Sequence, residues 1–593
     1  MAENVSDRIL ERLSQWGVER VYSYPGDGFN ALLGALQRRG NDPMFVQTRH
    51  EEMSAFMATA HAKWTGQAGV CMATSGPGAI HLLNGLYDAK LDHQPVVAIV
   101  GQTNMSALGG DYQQEVDLLS LFKDVAGYLQ MVGTSEQIPA VLDRAFRVAL
   151  SERTVAVLVV PADVQEMEYQ PPTHEFKMVP GSLGWSRSRV LPEPSEVQRA
   201  ARILNEGERV GILIGQGARG AAAEVVEVAD RLGAGVAKAL LGKDVLSDEL
   251  PFVTGAIGLL GTKPSYDMMM GCDTFLMIGS SLPYTQFLPE FGQARGIQID
   301  IDGRMIGLRY PMEVNLIGDA QSTLAELLPL LERKEDRSWR QEIEDGVARW
   351  WDIVEARAMQ DAHPLNPQRV FWELSPQLPG NAIVTADSGS AANWYARDLK
   401  FREGMRGSLS GTLATMGSAM PYAVAAKFCH PDRPAIALVG DGAMQMNGNA
   451  ELLTVAKYWQ QWSDPRLVVL VLNNSDLNQV TWEMRAMEGV PKFEETQVLP
   501  DMNYAEYARL VGLDGIRIDR PDDVADAWRR ALGADRPVVI DAVVDPEIPP
   551  LPPHVELDDA KAMMRAVLKQ DPNAADMIKH AFEGKAQEFL QRG

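Results

Sequence analysis

Three short apolar runs, mostly β-branched, each end on glycine: 96–101 (VVAIVG), 210–215 (VGILIG) and 435–440 (AIALVG). None alternates polar with apolar residues, so neither face of such a strand can meet water. A strand covered on both faces belongs in a parallel sheet. Helical stretches precede and follow each run, which gives alternating β and α segments and so a doubly wound sheet. Three such runs in 593 residues predict an α/β protein of three doubly wound, parallel-sheet domains.

Two stretches divide them. Residues 168–196 are rich in Pro, Gly and Ser without helical period and read as an exposed crossover. Residues 332–367 are charged, predicted part helical, and end at HPLNP. The expected domains are residues 1–180, a central Rossmann-like domain over 190–335, and residues 365–550, followed by a proline-rich then helical tail over 551–593.

Composition narrows the function classes. A formal charge of -24 repels a polyanion over most of the surface, so a nucleic-acid partner is not expected. Cys71, Cys272 and Cys429 are far apart, without the spacing of a disulfide framework or zinc site, which fits a reducing cytoplasm. The N-terminal residues lack a signal-peptide core, and no apolar run approaches the roughly 20 residues that span a bilayer.

Gly440-Asp441-Gly442 follows the third apolar run, and Asn473-Asn474 ends the next one, LVVLVL at 467–472. Thirty residues lie between, about one helix and a return to a neighbouring strand. Both elements then sit at the carboxyl edge of adjacent strands, where open α/β sheets bind ligands. The Asp441 carboxylate and the Asn474 amide oxygen are hard donors suited to Mg²⁺, which takes its other ligands from diphosphate, a backbone carbonyl and water. Asp476 is the candidate third protein ligand. The glycines flanking Asp441 allow the backbone to approach phosphate. A GDG turn alone is weak; joined to this spacer and NN it is specific.

That combination resembles the thiamine diphosphate (ThDP) motif, with a slightly longer spacer whose extra residues fall in YWQQWSDPRL, read as a polar turn. With YPGDGFNALLGAL, RHEEMSAFMA, TSGPGAIHLLNGLYDA, LNPQRV, TLATMGSAMPYA and NNSDL, the chain resembles the pyruvate oxidase, quinone-dependent pyruvate dehydrogenase and acetolactate synthase family over nearly its whole length. GDAQSTLAELLPLL and DPEIPPLPP lean towards the quinone-dependent branch. The resemblance implies a pyrimidine-binding N-terminal domain, a central flavin domain and a diphosphate-binding C-terminal domain. It also implies a homo-oligomer, at least a dimer and commonly a tetramer, because one subunit's pyrimidine side faces another's diphosphate side.

Residue by residue, the resemblance makes Glu51 the carboxyl that bonds the aminopyrimidine, and places Gln114 beside the substrate. Gly26, Gly76 and Pro77 belong to the loops of that side. On the other side it implies Asp387, Gly389 and Ser390 as the diphosphate loop, and Ala414, Thr415 and Met416 as a cofactor-contacting triplet. Met416 is the bulky residue that supports the bent coenzyme. Gly440, Asp441, Gly442, Ala443, Asn474 and Leu477 complete that set.

Gly215-Gln216-Gly217-Ala218-Arg219-Gly220 is a GxGxxG between a predicted strand and a predicted helix, the context a dinucleotide requires. NAD is the competing ligand. The segments around Gly258 and Leu259, Gly279 to Pro283 (with Ser280, Ser281 and Leu282) and Asp300 resemble those that cradle FAD in pyruvate oxidases. Asp300 would bind ribose hydroxyls.

Two departures from the family stand near the substrate. Gln113 replaces an aromatic, and Asn478-Gln479 replace a glycine and a second aromatic. A wetter pocket follows, favouring pyruvate or a more polar 2-oxo acid unless the amides find partners. In the tail, Met577, Ile578, Ala581, Phe582, Phe589 and Leu590 have near-helical spacing, which leaves peripheral contact with an inner-membrane surface open. The expected activity is oxidative decarboxylation of a 2-oxo acid with ThDP, Mg²⁺ and FAD, electrons passing to a quinone or O₂. A carboligase like acetolactate synthase and a silent scaffold are the alternatives. Trp482 lies outside the tryptophan-containing match that carboligases carry.

Overall fold

The computed structural model describes residues 3–550, 565–567, 571, 573, 574, 576, 579 and 580. No helix among the described residues is long and apolar enough to cross a membrane. The tail positions from Met577 to Leu590 that suggested lipid contact lie outside the described residues.

Three six-stranded parallel sheets follow one another along the chain. The first holds β1 (Arg20–Ser23), β2 (Met44–Gln47), β3 (Gly69–Ala73), β4 (Val96–Gln102), β5 (Ala126–Met131) and β6 (Val155–Pro161), ordered β2-β1-β3-β4-β6-β5. The second holds β7 (Val210–Ile214), β8 (Gly235–Lys238), β9 (Val253–Ala256), β10 (Thr274–Ile278), β11 (Arg295–Asp300) and β12 (Met312–Ile317), ordered β12-β11-β10-β7-β8-β9. The third holds β13 (Ile383–Ala386), β14 (Arg406–Ser408), β15 (Ala435–Gly440), β16 (Leu467–Asn473), β17 (Asp514–Ile518) and β18 (Val538–Val543), ordered β14-β13-β15-β16-β18-β17. The three apolar runs are β4, β7 and β15, and they are buried almost throughout.

The outer two sheets share one winding, while the middle sheet has the order of a dinucleotide-binding fold, reversing between β7 and β10. This kinship of first and third sheets was not legible in the sequence, because their loops and helices share no residue pattern.

The first and third sheets also share one core. Helix α1 (Glu51–Thr65) packs on helix α2 (Ala419–Cys429). Nearly every side chain of α1 is buried, as a helix sandwiched on all sides must be. The Trp64 indole donates to the Tyr422 carbonyl at 3.2 Å. Lys63 and Asp92, both buried, pair at 2.6 Å, and Lys63 also donates to the Leu409 carbonyl at 2.7 Å.

The crossover after residue 168 runs without helix or strand until the helix Pro194–Glu206, three residues earlier than expected, and the second linker carries the helix Ser338–Ala358. YWQQWSDPRL is not merely a polar turn. Tyr458 and Trp462 are buried against Phe428, with ring centroids at 5.3 and 6.1 Å. Aromatic area outweighs the polar residues around it.

Candidate active site

β15 and β16 are neighbours with Gly440 opposite Leu472, so the turns that follow them lie side by side. Asp441 is buried there. Its Oδ1 accepts from the Gly442 amide at 2.8 Å, and its Oδ2 from Asn474 and Ser475 amides at 2.9 and 2.6 Å. Burial nevertheless pushes its pKa up to about 7. The two asparagines divide the work. Asn473 is structural, donating to Asp541 and the Met502 carbonyl at 3.0 Å each, whereas the Asn474 amide oxygen accepts the Asp476 amide at 3.1 Å. The Asp476 side chain is committed: Lys492 lies at 3.0 Å, Thr481 donates at 3.0 Å and Asn478 at 3.3 Å. Only its backbone carbonyl is left for an ion.

This donor set fits Mg²⁺. A buried carboxylate whose hydrogen bonds come from backbone amides has lone pairs left and charge uncompensated, which a hard cation relieves. Asp441, Asn474 and the Asp476 carbonyl would hold it. A Cβ on Gly440 would meet nothing within 4 Å, and Gly389, at φ +104°, faces comparably open space, with only Gln479 Cβ at 4.0 Å. A diphosphate has room beside them.

Met416, Gly442 and Leu477 converge. A Cβ on Gly442 would lie 2.9 Å from a Leu477 methyl and 3.3 Å from the Met416 methyl. Met416 stands in an irregular turn before α2, not in a helix. Ala414, at φ +53°, makes the bend. Thr415 accepts from Asn84 of the first domain at 3.0 Å. Asp387, expected in the diphosphate loop, is buried and folds that turn: its Oδ1 accepts from Gly417 at 2.7 Å and Ser388 at 3.0 Å. Burial lifts its pKa to about 7, and its Oδ2 has no partner. Ser390 and Ala443 flank the same edge, Ser390 donating to Asn478 at 3.0 Å.

The substrate-side amides find partners within the protein. Asn478 accepts from Ser390 and donates to the Pro546 carbonyl at 2.7 Å. Gln479 accepts from Asn393 at 2.8 Å and donates to Glu483 at 2.9 Å. Gln113 is exposed. The premise of a wetter pocket therefore fails at Asn478 and Gln479, whose hydrogen bonds are spent internally.

Glu51 opens α1 and is buried. His50 caps the helix, accepting the Glu52 amide at 3.2 Å. His81 Nδ1 lies 2.9 Å from Glu51 Oε2, and a Cβ on Gly78 would lie 3.1 Å from Oε1. The carboxylate is thus fixed across the Ser75–Gly78 loop. Ser75 donates to the Gln114 amide oxygen at 3.0 Å, which leaves the Gln114 NH₂ as the donor on offer. Gly26 and Gly76 are required: added Cβ atoms would lie 2.5 Å from Thr74 and 2.8 Å from Gln114. Pro77 opens the next short helix. His81 and Asn84 escaped sequence reasoning because nothing in a linear pattern couples them to partners 30 and more residues away.

In the central sheet, Gly215 and Gly217 meet Gly279 at the reversal point. Cβ atoms on them would lie 2.3 Å from the Gly279 carbonyl oxygen and 2.7 Å from its Cα. The floor of that crevice is backbone packed on backbone, with no side chain between the two strand ends. Gly258 (φ +111°), exposed Leu259, and Ser280 to Pro283 rim it. Asp300 ends β11, accepts the Asp302 amide at 3.0 Å, and is pushed up to about 6 by burial. The strand end where an NAD site carries its ribose-binding acid is β8. It ends instead in buried Lys238, paired with Asp248 at 2.5 Å.

Known proteins agree with this architecture. Three family models match: the thiamine pyrophosphate enzyme N-terminal TPP binding domain over residues 3–121, the central domain over 197–327, and the C-terminal TPP binding domain over 387–542. A Bacillus subtilis (strain 168) protein named as thiamine pyrophosphate-containing, YdaP, is 37% identical over 563 residues, 95% of each chain. Pyruvate oxidase of Lactiplantibacillus plantarum is 29% identical, covering 96% of this chain and 93% of its own. Acetolactate synthase 1, chloroplastic, of Nicotiana tabacum is 30% identical over 91% of this chain and 81% of its own. With the GDG and NN turns on adjacent strands and these matches along its length, the chain belongs to the thiamine pyrophosphate enzyme family.

Proposed function

We propose that the protein oxidatively decarboxylates a 2-oxo acid, pyruvate being the simplest, with ThDP, Mg²⁺ and FAD, and passes the electrons to a quinone or O₂. Bound ThDP supplies the carbon nucleophile and the cationic ring that accepts the electrons released with CO₂. Asp441, Asn474 and the Asp476 carbonyl would hold the metal on the diphosphate, and Met416 with Leu477 would support the coenzyme from below. Glu51, fixed by His81, is the carboxyl positioned to exchange a proton with the aminopyrimidine. Gln114 offers an NH₂ donor to the substrate.

The observation that carries the flavin is the central crevice: a backbone floor at Gly215, Gly217 and Gly279, Asp300 at the end of β11, and Lys238 where an NAD site needs an acid; the oxidative fate of the electrons rests on the likeness to the Lactiplantibacillus plantarum pyruvate oxidase. FAD would lie along it, with Gly258 to Leu259 and Gly279 to Pro283 near the flavin half. The carboligase reading has the tobacco synthase in its favour. Against it, the Trp482 indole is buried and donates to the Pro546 carbonyl at 3.0 Å, so it does not line an opening for a second acceptor.

The protein would work as a homo-oligomer with composite sites. Exposed Met446, Val480, Met487 and Val498 follow the GDG and NN turns along the chain, and exposed Ile80, Tyr112 and Leu119 follow or flank the loops of Gly76 and Gln114 in sequence. Covering both sets with a second copy would bury apolar surface and close the site to water.

Anaerobic addition of pyruvate to the loaded protein tests this reading. The flavin absorbance should bleach with release of CO₂ and return on adding quinone or O₂. A persistent yellow spectrum accompanied by acetolactate would establish the carboligase instead.

A further inference from the structure

We propose that His50, Glu51 and His81 form a binding site for a transition-metal dication of the zinc type, separate from the magnesium edge at Asp441. One potential ligand atom from each residue lies within 4.8 Å of the others. The site is built from two elements: the N-cap and first residue of α1, and the last residue of the short helix Pro77–His81. The two imidazoles stack, with centroids 4.3 Å apart and planes 30° apart, which holds the His50 ring beside the one that contacts the carboxylate. His81 Nδ1 is already 2.9 Å from Glu51 Oε2.

The donor set decides the metal. Two imidazoles and a carboxylate suit zinc, which takes three protein ligands and leaves a fourth position to water. Magnesium prefers oxygen ligands and would remain at Asp441. In the single chain the His50 and His81 side chains are each 42% exposed, which leaves the fourth position to water while the coenzyme is absent.

An outer shell is present as well. Glu52 Oε2 lies 3.9 Å from His50 Nδ1, and Asn84 donates to Glu52 Oε1 at 2.5 Å. Binding through His50 Nε2 requires Nδ1 to carry the proton and to turn from accepting the Glu52 amide to donating to the Glu52 carboxylate. A carboxylate behind a ligating histidine fixes the tautomer and strengthens the ligand.

The consequence for activity rests on the role proposed above for Glu51. An ion held by that carboxylate denies it to the aminopyrimidine, so zinc and coenzyme exclude one another. The site is then an inhibitory one, read by divalent transition metals and relieved by chelators.

Zinc titration of the coenzyme-free protein in excess Mg²⁺, followed with a chromophoric zinc chelator as competitor, tests the site directly. The wild type should take up one zinc per chain. His81→Ala and His50→Gln should each weaken binding at least tenfold, Glu52→Gln about tenfold, and Asp441→Ala should leave it unchanged. Circular dichroism of each variant separates loss of a ligand from loss of fold. Unchanged zinc affinity in folded His81→Ala and His50→Gln, displacement by Mg²⁺, or loss in Asp441→Ala would overturn the assignment. Because the readout is metal bound to coenzyme-free protein, it stands apart from whether the chain turns over a 2-oxo acid.

Discussion

Glu51 illustrates how a single carboxylate is prepared by its surroundings. It is buried at a helix start, gripped by His81 on one oxygen and confined by Gly78 on the other. Replacing it with Gln keeps the shape and removes the proton exchange, so Glu51→Gln should lower kcat by about 10²-fold or more while bound flavin stays at the wild-type level; steady-state kinetics with a flavin assay checks both. Asp387 makes a different use of burial. Its pKa is raised to about 7, chiefly by desolvation. A raised carboxyl stabilises the fold below its unfolded value near 4, and that contribution is lost as pH climbs through about 7, each pKa unit being worth about 1.4 kcal/mol. Coenzyme-free protein should therefore lose melting temperature between about pH 4 and 7, and Asp387→Asn should flatten that loss. Equal slopes in the two proteins would remove Asp387 as the cause.

At the scale of elements, the central crevice depends on two strand ends touching backbone to backbone. Gly217→Ala would drive a methyl to 2.7 Å from Gly279 Cα. Overpacking of this kind costs about 1–3 kcal/mol, and here it also separates β7 from β10 at the ligand edge. The expected outcome is purified protein with clearly reduced flavin content but intact ThDP binding, read by absorbance and by coenzyme titration. Retention of full flavin would mean that the dinucleotide does not lie on this floor. The element after Asn474 is held just as firmly. Arg485, fully buried, pairs with Asp571 at 2.9 Å and Glu547 at 2.8 Å, which ties the segment following Asn474 to two acids far along the chain.

Across the whole molecule, Asp92 joins all three domains. Its carboxylate pairs with Lys63 and accepts the Gly411 and Thr412 amides at 2.9 and 2.8 Å, and its carbonyl accepts from Gln216 of the central domain at 2.9 Å. The loop that leads to Met416 and the loop that carries the GxGxxG thus hang from one residue. Asp92→Ala would leave Lys63 buried without its counter-charge, a loss of about 3–5 kcal/mol. Calorimetry should register a lower melting temperature together with weaker binding of both ThDP and flavin. A wild-type transition would show that the domains do not depend on this junction.

Periodicity and motif spacing determined that there are three doubly wound sheets, where β4, β7 and β15 lie, and which turns carry Asp441 and Asn474, while Glu51 was singled out by the family resemblance of its segment. These are properties of the chain alone: a fully apolar run reads as a covered strand, and a GDG turn joined to its spacer and NN reads as a ligand-binding edge, without knowledge of distant contacts. Contacts between distant residues were decided only by the tertiary structure. They include the common winding of the outer sheets, the grip of His81 on Glu51, the internal hydrogen bonds of Asn478 and Gln479, and the Lys63–Asp92 junction. Each pairs residues from separate elements, and no pattern along the chain records which of several buried polar groups will meet. Hydrogen-bond satisfaction is settled by packing, and packing is a property of the assembled core.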